Sequence, residues 1–234
     1  RPELPAQGQA GIGAFSYGVG PAMLAALDHE ISEKIDFLLS VGGYYDIEKV
    51  ITFFTTGYFK NDKGWQYLKP NEYGKWVFVL SNIERLSNQT DKKIFNEIAQ
   101  RKMDNPNASI EDLTIDLTVE ANSILALLKN QNRNETTNLI ASIPNAIRTD
   151  LNTLNLSNKN LSQLNTKLIL LHGIDDDIIP YTESISLARA VAKGQSELFI
   201  IDGLAHVNIH PNFLNQWKLL CAIDALLGLR KDEF

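Results

Sequence analysis

Residues 9–20 read QAGIGAFSYGVG, a small and apolar stretch that runs into a serine. The segment at residues 9–15 is typical of a short buried strand, and the strong helix formers that follow the stretch predict a helix. The residues two positions on either side of Ser16 are Ala14 and Gly18, and small side chains there leave room for a sharp turn. The stretch therefore predicts a serine on a tight strand-to-helix turn.

Three further apolar runs, at residues 35–41, 167–172 and 196–201, predict strands, and helical stretches separate them. Apolar strands that alternate with helices are typical of a parallel sheet covered by helices on both faces. The predicted fold class is therefore α/β, with a mostly parallel sheet. Because ligands in such sheets bind at the carboxyl ends of the strands, the chemistry of the protein is expected there.

The middle of the chain has a different character, rich in asparagine and without a visible strand period. Breaks that contain asparagine, proline and glycine separate its apolar-periodic segments. The helical candidates are residues 73–86, 91–103, 113–128 and 135–154. We predict an all-helical insert at residues 57–166, between core segments at residues 1–56 and 167–234.

Two loops that follow later strands carry the residue types that activate a serine. Residues 172–180 read HGIDDDIIP, and residues 202–206 read DGLAH. A serine hydroxyl is a weak nucleophile, so a base must accept its proton. Histidine suits this task with a reference pKa of about 6.5, and an acid can orient it. The order serine, aspartate, histidine predicts a nucleophile, an orienting acid and a base at strand ends.

These motifs resemble those of the α/β-hydrolase superfamily. Residues 13–18 (GAFSYG) resemble its nucleophile elbow, the turn that presents the catalytic serine. The two loops just quoted resemble its acid loop and its histidine loop, and residues 41–46 (VGGYYD) are similar to the segment after its elbow helix. The resemblance implies a serine hydrolase that cleaves an ester or related acyl bond, with residues 57–166 in the place of the family's helical lid.

The resemblance covers residues 9–50 and 167–227 and assigns roles within them. Ser16 becomes the nucleophile, and the family's loop spacing selects Asp176 as the acid. His206 becomes the base, and the backbone N–H of Tyr17 becomes an oxyanion donor, the place that the start of a helix favours. One departure is Ala14, where the family often has glycine.

Other interpretations of these residues stay open. Ser16 could be a helix N-cap, a position that serine often takes. Asp175 and Asp177 fit solvated loop charges or turn formers. His210 competes with His206, and His172 fits a buried, hydrogen-bonded residue at a strand end. Several aromatic residues between positions 53 and 78 either line an apolar pocket or pack in the core: Phe53, Phe54, Tyr58, Phe59, Trp65, Trp76 and Phe78.

Composition excludes several classes of protein. The 22 Lys and Arg residues against 28 Asp and Glu residues give a net charge of −6, which disfavours nucleic acid as a partner. The single cysteine, Cys221, cannot form an internal disulfide. No apolar run approaches the roughly 20 residues of a membrane helix, and no metal or cofactor motif is visible. We expect a cytoplasmic protein without a cofactor, acting on a small acyl or ester substrate.

The position of Ser16 near Arg1 raises a second hypothesis. The family's sheet has several strands before the elbow, and a loop after one of them supplies the second oxyanion N–H. We expect an upstream segment of roughly 80–120 residues, the scale of a half-domain. The alternatives are a catalytically incomplete fragment or pseudoenzyme that serves as a binding or scaffold module, and an acyltransferase that uses the same three residues.

Overall fold

The computed structural model describes residues 10–205, 208, 209 and 222. The chain divides into two compact units. We call Arg1–Ile47 together with Leu154–Phe234 the sheet unit, and Glu48–Thr153 the middle unit. Among the described residues, no helix is long and apolar enough to cross a membrane.

Strands and helices alternate at both ends of the described chain, and helices predominate between them. The strands are β1 (Ala10–Phe15), β2 (Ile35–Val41), β3 (Tyr58–Asn61), β4 (Gly64–Tyr67), β5 (Lys167–Gly173), β6 (Ser196–Ile201), β7 (Leu204–Ala205) and β8 (Asn208–Ile209). The helices are α1 (Val19–Leu27), α2 (Ile47–Thr56), α3 (Tyr73–Asn82), α4 (Gln89–Asp104), α5 (Val119–Leu128), α6 (Thr136–Ser142), α7 (Asn145–Leu154) and α8 (Thr182–Ala190).

The sheet unit is built on four strands in the order β1-β2-β5-β6, and every neighbouring pair is parallel. The register aligns the carboxyl-terminal ends of the strands to within two residues, since Phe15 lies beside Val41, Val41 beside Leu171, and Leu171 beside Phe199. The carboxyl ends of all four strands therefore meet at one edge. The mostly parallel sheet that the sequence predicts is confirmed.

Burial differs strongly between the strands of this sheet. In β5 the side chains of Leu168, Ile169 and Leu170 have no exposed surface, as expected for a strand with a neighbour on each side. In β1 only Ala14 is buried, and Phe15 is 63% exposed. The prediction of a buried first strand is therefore wrong, because β1 is an outer strand of the described sheet and pairs only with β2 there.

Two helices pack within the sheet unit, and their buried faces differ in character. In α1 the buried residues Val19, Met23 and Ala26 recur at intervals of four and three, which places them on one side of the helix. In α8 the buried residues are Glu183, Ser184 and Leu187. The polar members of that set contribute to the site described below.

The middle unit is not all-helical, so that part of the prediction is wrong. Strands β3 and β4 form an antiparallel hairpin, with Tyr58 opposite Tyr67 and their rings 5.3 Å apart. The side chain of Asn61 accepts a hydrogen bond from the Lys63 N–H, and Gly64 has φ +103°, so the turn chemistry is local. Strands of four residues are too short for the sequence to reveal a two-residue period.

A second difference lies in the long helix predicted at residues 135–154. It is divided into α6 and α7, and Pro144 stands directly before α7. Proline has no N–H to donate and clashes with the preceding turn, so a helix cannot run through it undistorted. Ile147 in α7 is fully buried and anchors this helix in the middle unit.

Candidate active site

Ser16 lies directly after β1 and has φ 51°. Among the residues that the structure describes, it is the one non-glycine residue with a positive φ. The chain continues through a single tight turn, Ser16–Gly18, into α1. A non-glycine residue in this region costs of order 1–3 kcal/mol, and such strain concentrates at functional sites. The predicted sharp strand-to-helix turn at Ser16 is therefore present.

From the sequence, a small residue was expected to be needed at Gly18. In the structure, the close contact that requires a glycine is at Gly20. Within the described part of the chain, a Cβ added at Gly18 would meet nothing within 4 Å. A Cβ at Gly20 would lie 1.8 Å from the hydroxyl oxygen of Tyr44. Gly20 lets α1 approach the buried Tyr44 ring, which fixes the helix that follows Ser16.

Asp176 lies just beyond β5, on the edge where the strands end. Its carboxylate is 2% exposed, and Oδ1 accepts hydrogen bonds from the N–H groups of Ile178 and Ile179, both at 2.9 Å. Its Oδ2 faces the loop after β2, because a Cβ added at Gly42, where φ is +60°, would lie 3.3 Å from that oxygen. Two backbone donors stabilise the ionised form of a buried carboxylate. The arrangement holds a negative charge at this edge.

His172 belongs to β5 and supports the acid loop. It is fully buried, and its Nε2–H donates to the carbonyl oxygen of Ile179 at 2.9 Å. Its Nδ1 forms a hydrogen bond with the Ser184 hydroxyl at 2.7 Å. Nε2 also lies 3.4 Å from Oδ2 of Asp176. The expectation that His172 is a buried, hydrogen-bonded residue is confirmed.

Asp175 has a partner that its sequence context did not indicate. Its side chain is exposed, but Oδ2 accepts a hydrogen bond from the N–H of Gly203 at 3.1 Å. Next to it, the Ile174 N–H donates to the carbonyl oxygen of Ile201 at 2.8 Å. These two bonds join the loop that carries Asp176 to the start of the DGLAH loop. The sequence could not reveal this link because its partners are 28 positions apart.

The predicted base, His206, lies outside the described residues, and so does its rival His210. The chain before it is described: Gly203 has φ +77°, and Ala205 of β7 pairs with Asn208 of β8. The roles of Ser16, Asp176, His206 and the Tyr17 N–H stay predictions.

Glu183 is a further functional candidate that the sequence analysis missed. It is 1% exposed, and Oε2 accepts hydrogen bonds from the N–H groups of Tyr45 at 3.1 Å and Asp46 at 2.7 Å. A glutamate in the first turn of a helix is usually exposed to solvent. Glu183 is instead buried and holds the VGGYYD loop in place. The signal is tertiary, since 138 positions separate Glu183 from Tyr45.

Two tyrosines lie behind this edge, with ring centroids 6.3 Å apart. The hydroxyl of Tyr44 donates to the carbonyl oxygen of Leu154 at 3.0 Å. The hydroxyl of Tyr17 is buried and has no hydrogen-bond partner among the residues described. Burial raises the pKa of Tyr17, and the negative charge of Asp176 raises it further; burial also raises the pKa of Tyr44. The residue after Ser16 therefore lies within the field of the candidate acid.

A metal centre is not visible in the described portion of the chain, where no group of three or more His, Cys, Asp or Glu side chains could hold an ion. The arrangement instead combines a strained serine, a buried carboxylate and several backbone N–H groups at one sheet edge. Those are the parts that acyl-transfer chemistry uses.

No protein-family model matches the chain, and no curated protein matches it. A variant of the rice cell wall degrading esterase LipA from Xanthomonas oryzae matches with a TM-score of 0.56 at 13% identity, over 96% of this chain and 60% of that chain. The meta-cleavage product hydrolase from Pseudomonas fluorescens matches with a TM-score of 0.44 at 15% identity, over 94% of this chain and 65% of that chain.

Mouse alpha/beta hydrolase domain-containing protein 10 matches with a TM-score of 0.43 at 16% identity, over 95% of this chain and 63% of that chain. The chain thus spans less than two thirds of the length of each of these three proteins. The parallel sheet, together with the likeness to the esterase, shows that the chain has the α/β-hydrolase fold.

Proposed function

We propose that this protein is a serine hydrolase that cleaves an ester or a related acyl bond through Ser16, His206 and Asp176. The observation that carries the proposal is the backbone of Ser16, whose φ of 51° places a serine on a strained turn between a strand and a helix. The turn lies at the carboxyl edge of a parallel sheet, where such folds bind their ligands. A helix cap has no need of a positive φ, because the N-cap residue takes an extended conformation.

The proposed reaction begins when the Ser16 hydroxyl oxygen attacks the carbonyl carbon of the substrate and His206 accepts the hydroxyl proton. The negative charge then moves to the carbonyl oxygen, where the Tyr17 N–H donates a hydrogen bond. His206 returns the proton to the leaving oxygen as the acyl bond breaks, which leaves an acyl group on Ser16. Water, deprotonated by His206, then attacks the acyl group and releases the acid and free Ser16.

Asp176 suits the role of the orienting acid because its charge is buried and already held by two N–H groups. A fixed carboxylate selects one tautomer of the base and stabilises the imidazolium that forms during the reaction. Asp175 supports the same assignment, since its bond to the Gly203 N–H ties the acid loop to the DGLAH loop. Both observations favour Asp176 as the acid and give Asp175 a positioning role.

The fold also supports the proposal at a coarser level. The esterase from Xanthomonas oryzae that shares this fold is named as an enzyme that acts on esters. Because one fold hosts many functions, that likeness raises the prior for a hydrolase and identifies no substrate.

A fluorophosphonate probe tests the nucleophile directly, because it labels a serine only when the serine is activated. The full-length protein should be labelled at Ser16, and Ser16→Ala should abolish both the labelling and the turnover of p-nitrophenyl esters. Ser40→Ala is a matched control, since Ser40 is a buried serine on the neighbouring strand whose hydroxyl has no hydrogen-bond partner in the described region. It should keep labelling and turnover within about twofold of the original protein.

The result that contradicts the proposal is a folded protein that is not labelled, or labelling that survives Ser16→Ala. The absence of labelling favours the non-catalytic binding module, and labelling that survives Ser16→Ala shows that another residue is the nucleophile. Adding an alcohol acceptor during turnover then separates hydrolysis from acyl transfer, since an acyltransferase gives the new ester as its main product and a hydrolase gives the free acid.

A further inference from the structure

The middle unit contains a half-open cavity of about 830 Å³ whose lining residues all belong to that unit. Sites for small molecules have volumes of roughly 300–1,000 Å³, so the cavity has the size of a ligand site. Its apolar wall comes from Tyr58 and Tyr67 of the hairpin, from Trp76 of α3, and from Leu125 and Leu128 of α5. This wall suits a flat or aliphatic organic body.

The aromatic part of the wall is held in place by its own packing. The guanidinium of Arg133 lies 5.1 Å from the centre of the Tyr58 ring and 4.7 Å from that of Trp65. Tyr58 and Tyr67 are an edge-to-face pair across the hairpin. The cavity wall is therefore preorganised, which lowers the entropy cost of binding a ligand against it.

The charged residues around the cavity are mostly cations. Four lysines line it, Lys69, Lys75, Lys102 and Lys129, against one acid, Glu72. The whole chain has a net charge of −6, so this local excess of positive charge runs against its overall composition. Like charges around a concave, low-dielectric wall reinforce one another and attract an anion.

The four lysines differ in the partners that the described residues give them. Lys75 forms an ion pair with Glu72 at 2.9 Å, and Lys102 donates to the carbonyl oxygen of Pro106 at 3.0 Å. Lys69 and Lys129 have no carboxylate partner among the residues that the structure describes. The C-terminal dipole of α5 explains a cation at Lys129, but Lys69 follows β4 outside any helix.

We infer that this cavity binds an organic carboxylate whose body is apolar or aromatic. The apolar wall takes the body, and Lys69 and Lys129 take the carboxylate as point charges. A phosphate group fits less well, because it favours the bidentate fork of arginine or a set of convergent backbone N–H groups, and no arginine lines the cavity. The inference is independent of the proposed hydrolase, since Ser16 and Asp176 belong to the sheet unit.

Calorimetric titration of the full-length protein with 4-phenylbutyrate and with 4-phenylbutyramide tests the inference. The two probes have the same body and differ in charge. The acid should bind at least roughly tenfold more tightly than the amide, and 0.5 M salt should remove most of that difference because the Debye length falls. Neither probe is an ester, so the measurement does not depend on turnover.

The variants then locate the site. Lys69→Gln with Lys129→Gln should weaken binding of the acid at least roughly fivefold and leave the amide unchanged. Lys60→Gln with Lys93→Gln is the matched control, since both are exposed lysines of the middle unit outside the cavity, and it should leave both affinities within twofold. If the double variant does not fold, each single variant should give a part of the same loss.

Three results would overturn the inference: equal binding of the acid and the amide, no binding of either, or an equal loss in the control variant. Labelling of Ser16 by the fluorophosphonate is unaffected by any of them, so failure of this inference and failure of the proposed hydrolase are told apart.

Discussion

Each of the two units buries an aspartate, and the two aspartates have different surroundings. Asp176 in the sheet unit is 2% exposed and Asp91 in the middle unit is 1% exposed. Asp176 accepts hydrogen bonds from two N–H groups of its own loop. Asp91 accepts from the N–H and the hydroxyl of Thr118, the N-cap of α5, and so joins the first turn of α4 to the start of the next helix.

Burial and hydrogen bonding therefore do not by themselves identify a catalytic acid. Both charges satisfy the requirement that a buried carboxylate be paired. What separates them is place: Asp176 lies at the carboxyl edge of a parallel sheet, close to Tyr17, and Asp91 lies at a helix junction.

Asparagine substitution should separate the two carboxylates by activity. Asp176→Asn should lower kcat for ester hydrolysis about 10³- to 10⁴-fold, since the amide cannot hold the base in the required tautomer. Asp91→Asn should lower the free energy of unfolding by about 1–3 kcal/mol and leave kcat of the folded protein within about twofold. Steady-state kinetics and urea unfolding on both variants give the measurement. Equal losses of kcat would remove the distinction between the two residues.

Glycine substitution should separate the packing of the two units. Gly20→Ala in the sheet unit should destabilise by about 3 kcal/mol, because its Cβ would overlap the Tyr44 hydroxyl at 1.8 Å. Gly64→Ala in the hairpin should cost only about 1 kcal/mol, the strain of its positive φ, since its Cβ would meet no described atom within 4 Å. Urea unfolding measures both. A larger loss for Gly64→Ala would contradict the tight approach of α1 to Tyr44.

Substitution of an exposed loop aspartate should lower kcat in the sheet unit and not in the middle unit. Asp175→Ala removes the acceptor for the Gly203 N–H and should lower kcat about tenfold, the value of one charge-assisted hydrogen bond. Asp62→Ala, in the hairpin turn of the middle unit, is the matched control and should leave kcat unchanged. Kinetics at several pH values are informative, because a misplaced base should also shift the pH profile. An unchanged kcat for Asp175→Ala would show that Asp175 is only a solvated loop charge and does not position the acid loop.

Two buried tyrosines in the sheet unit should differ because only one has a partner. Tyr44→Phe should destabilise by about 1 kcal/mol, since it removes the hydrogen bond to the Leu154 carbonyl. Tyr17→Phe removes a buried hydroxyl that has no partner in the described region, so it should leave stability unchanged or raise it by a few tenths of a kcal/mol. The Tyr17 backbone N–H is untouched, so labelling of Ser16 should persist. A loss of stability in Tyr17→Phe would point to a hidden partner.

The smallest expected effect is an alkaline loss of stability in the sheet unit. Burial in the folded state raises the pKa of Tyr17 above its ordinary value. The contribution of Tyr17 to the free energy of unfolding is therefore fully present below about pH 10 and is lost as the pH rises further. Thermal unfolding at pH 9 and pH 10.5 should show a smaller decline for Tyr17→Phe than for the original protein. Identical declines would show that Tyr17 ionises as freely in the folded protein as in the unfolded chain.

Much of the sheet unit could be predicted from the sequence, because its signals are local. Strands β2 and β5 are unbroken apolar runs, and the small residues around Ser16 indicate the turn. The family's loop spacing selects Asp176 as the candidate acid, a role that stays a prediction; the structure shows that its side chain is buried. The exposure of β1 was not visible in its sequence pattern, since an apolar run looks the same in an edge strand as in a central strand.

The rest depended on contacts between residues far apart in the chain. The hairpin of the middle unit was missed because four-residue strands carry too little periodicity. Asp175 was interpreted as a solvated charge or turn former, and Glu183 was not singled out. Only the strand order β1-β2-β5-β6 brings Glu183 and Asp175 to N–H groups 138 and 28 positions away. The cavity lysines are spread over residues 69–129, without a local pattern.

The division has one physical cause. Three properties act over only a few neighbouring residues: the backbone preference of each residue, the alternation of apolar residues, and the room that a small side chain leaves at a turn. The sequence by itself therefore determined the α/β class, the turn at Ser16 and the expected position of the candidate residues at strand ends. The partner of a buried charge and the walls of a cavity depend on which segments meet. Only the tertiary structure decided those, because loop lengths and strand order bring together groups that the sequence keeps apart.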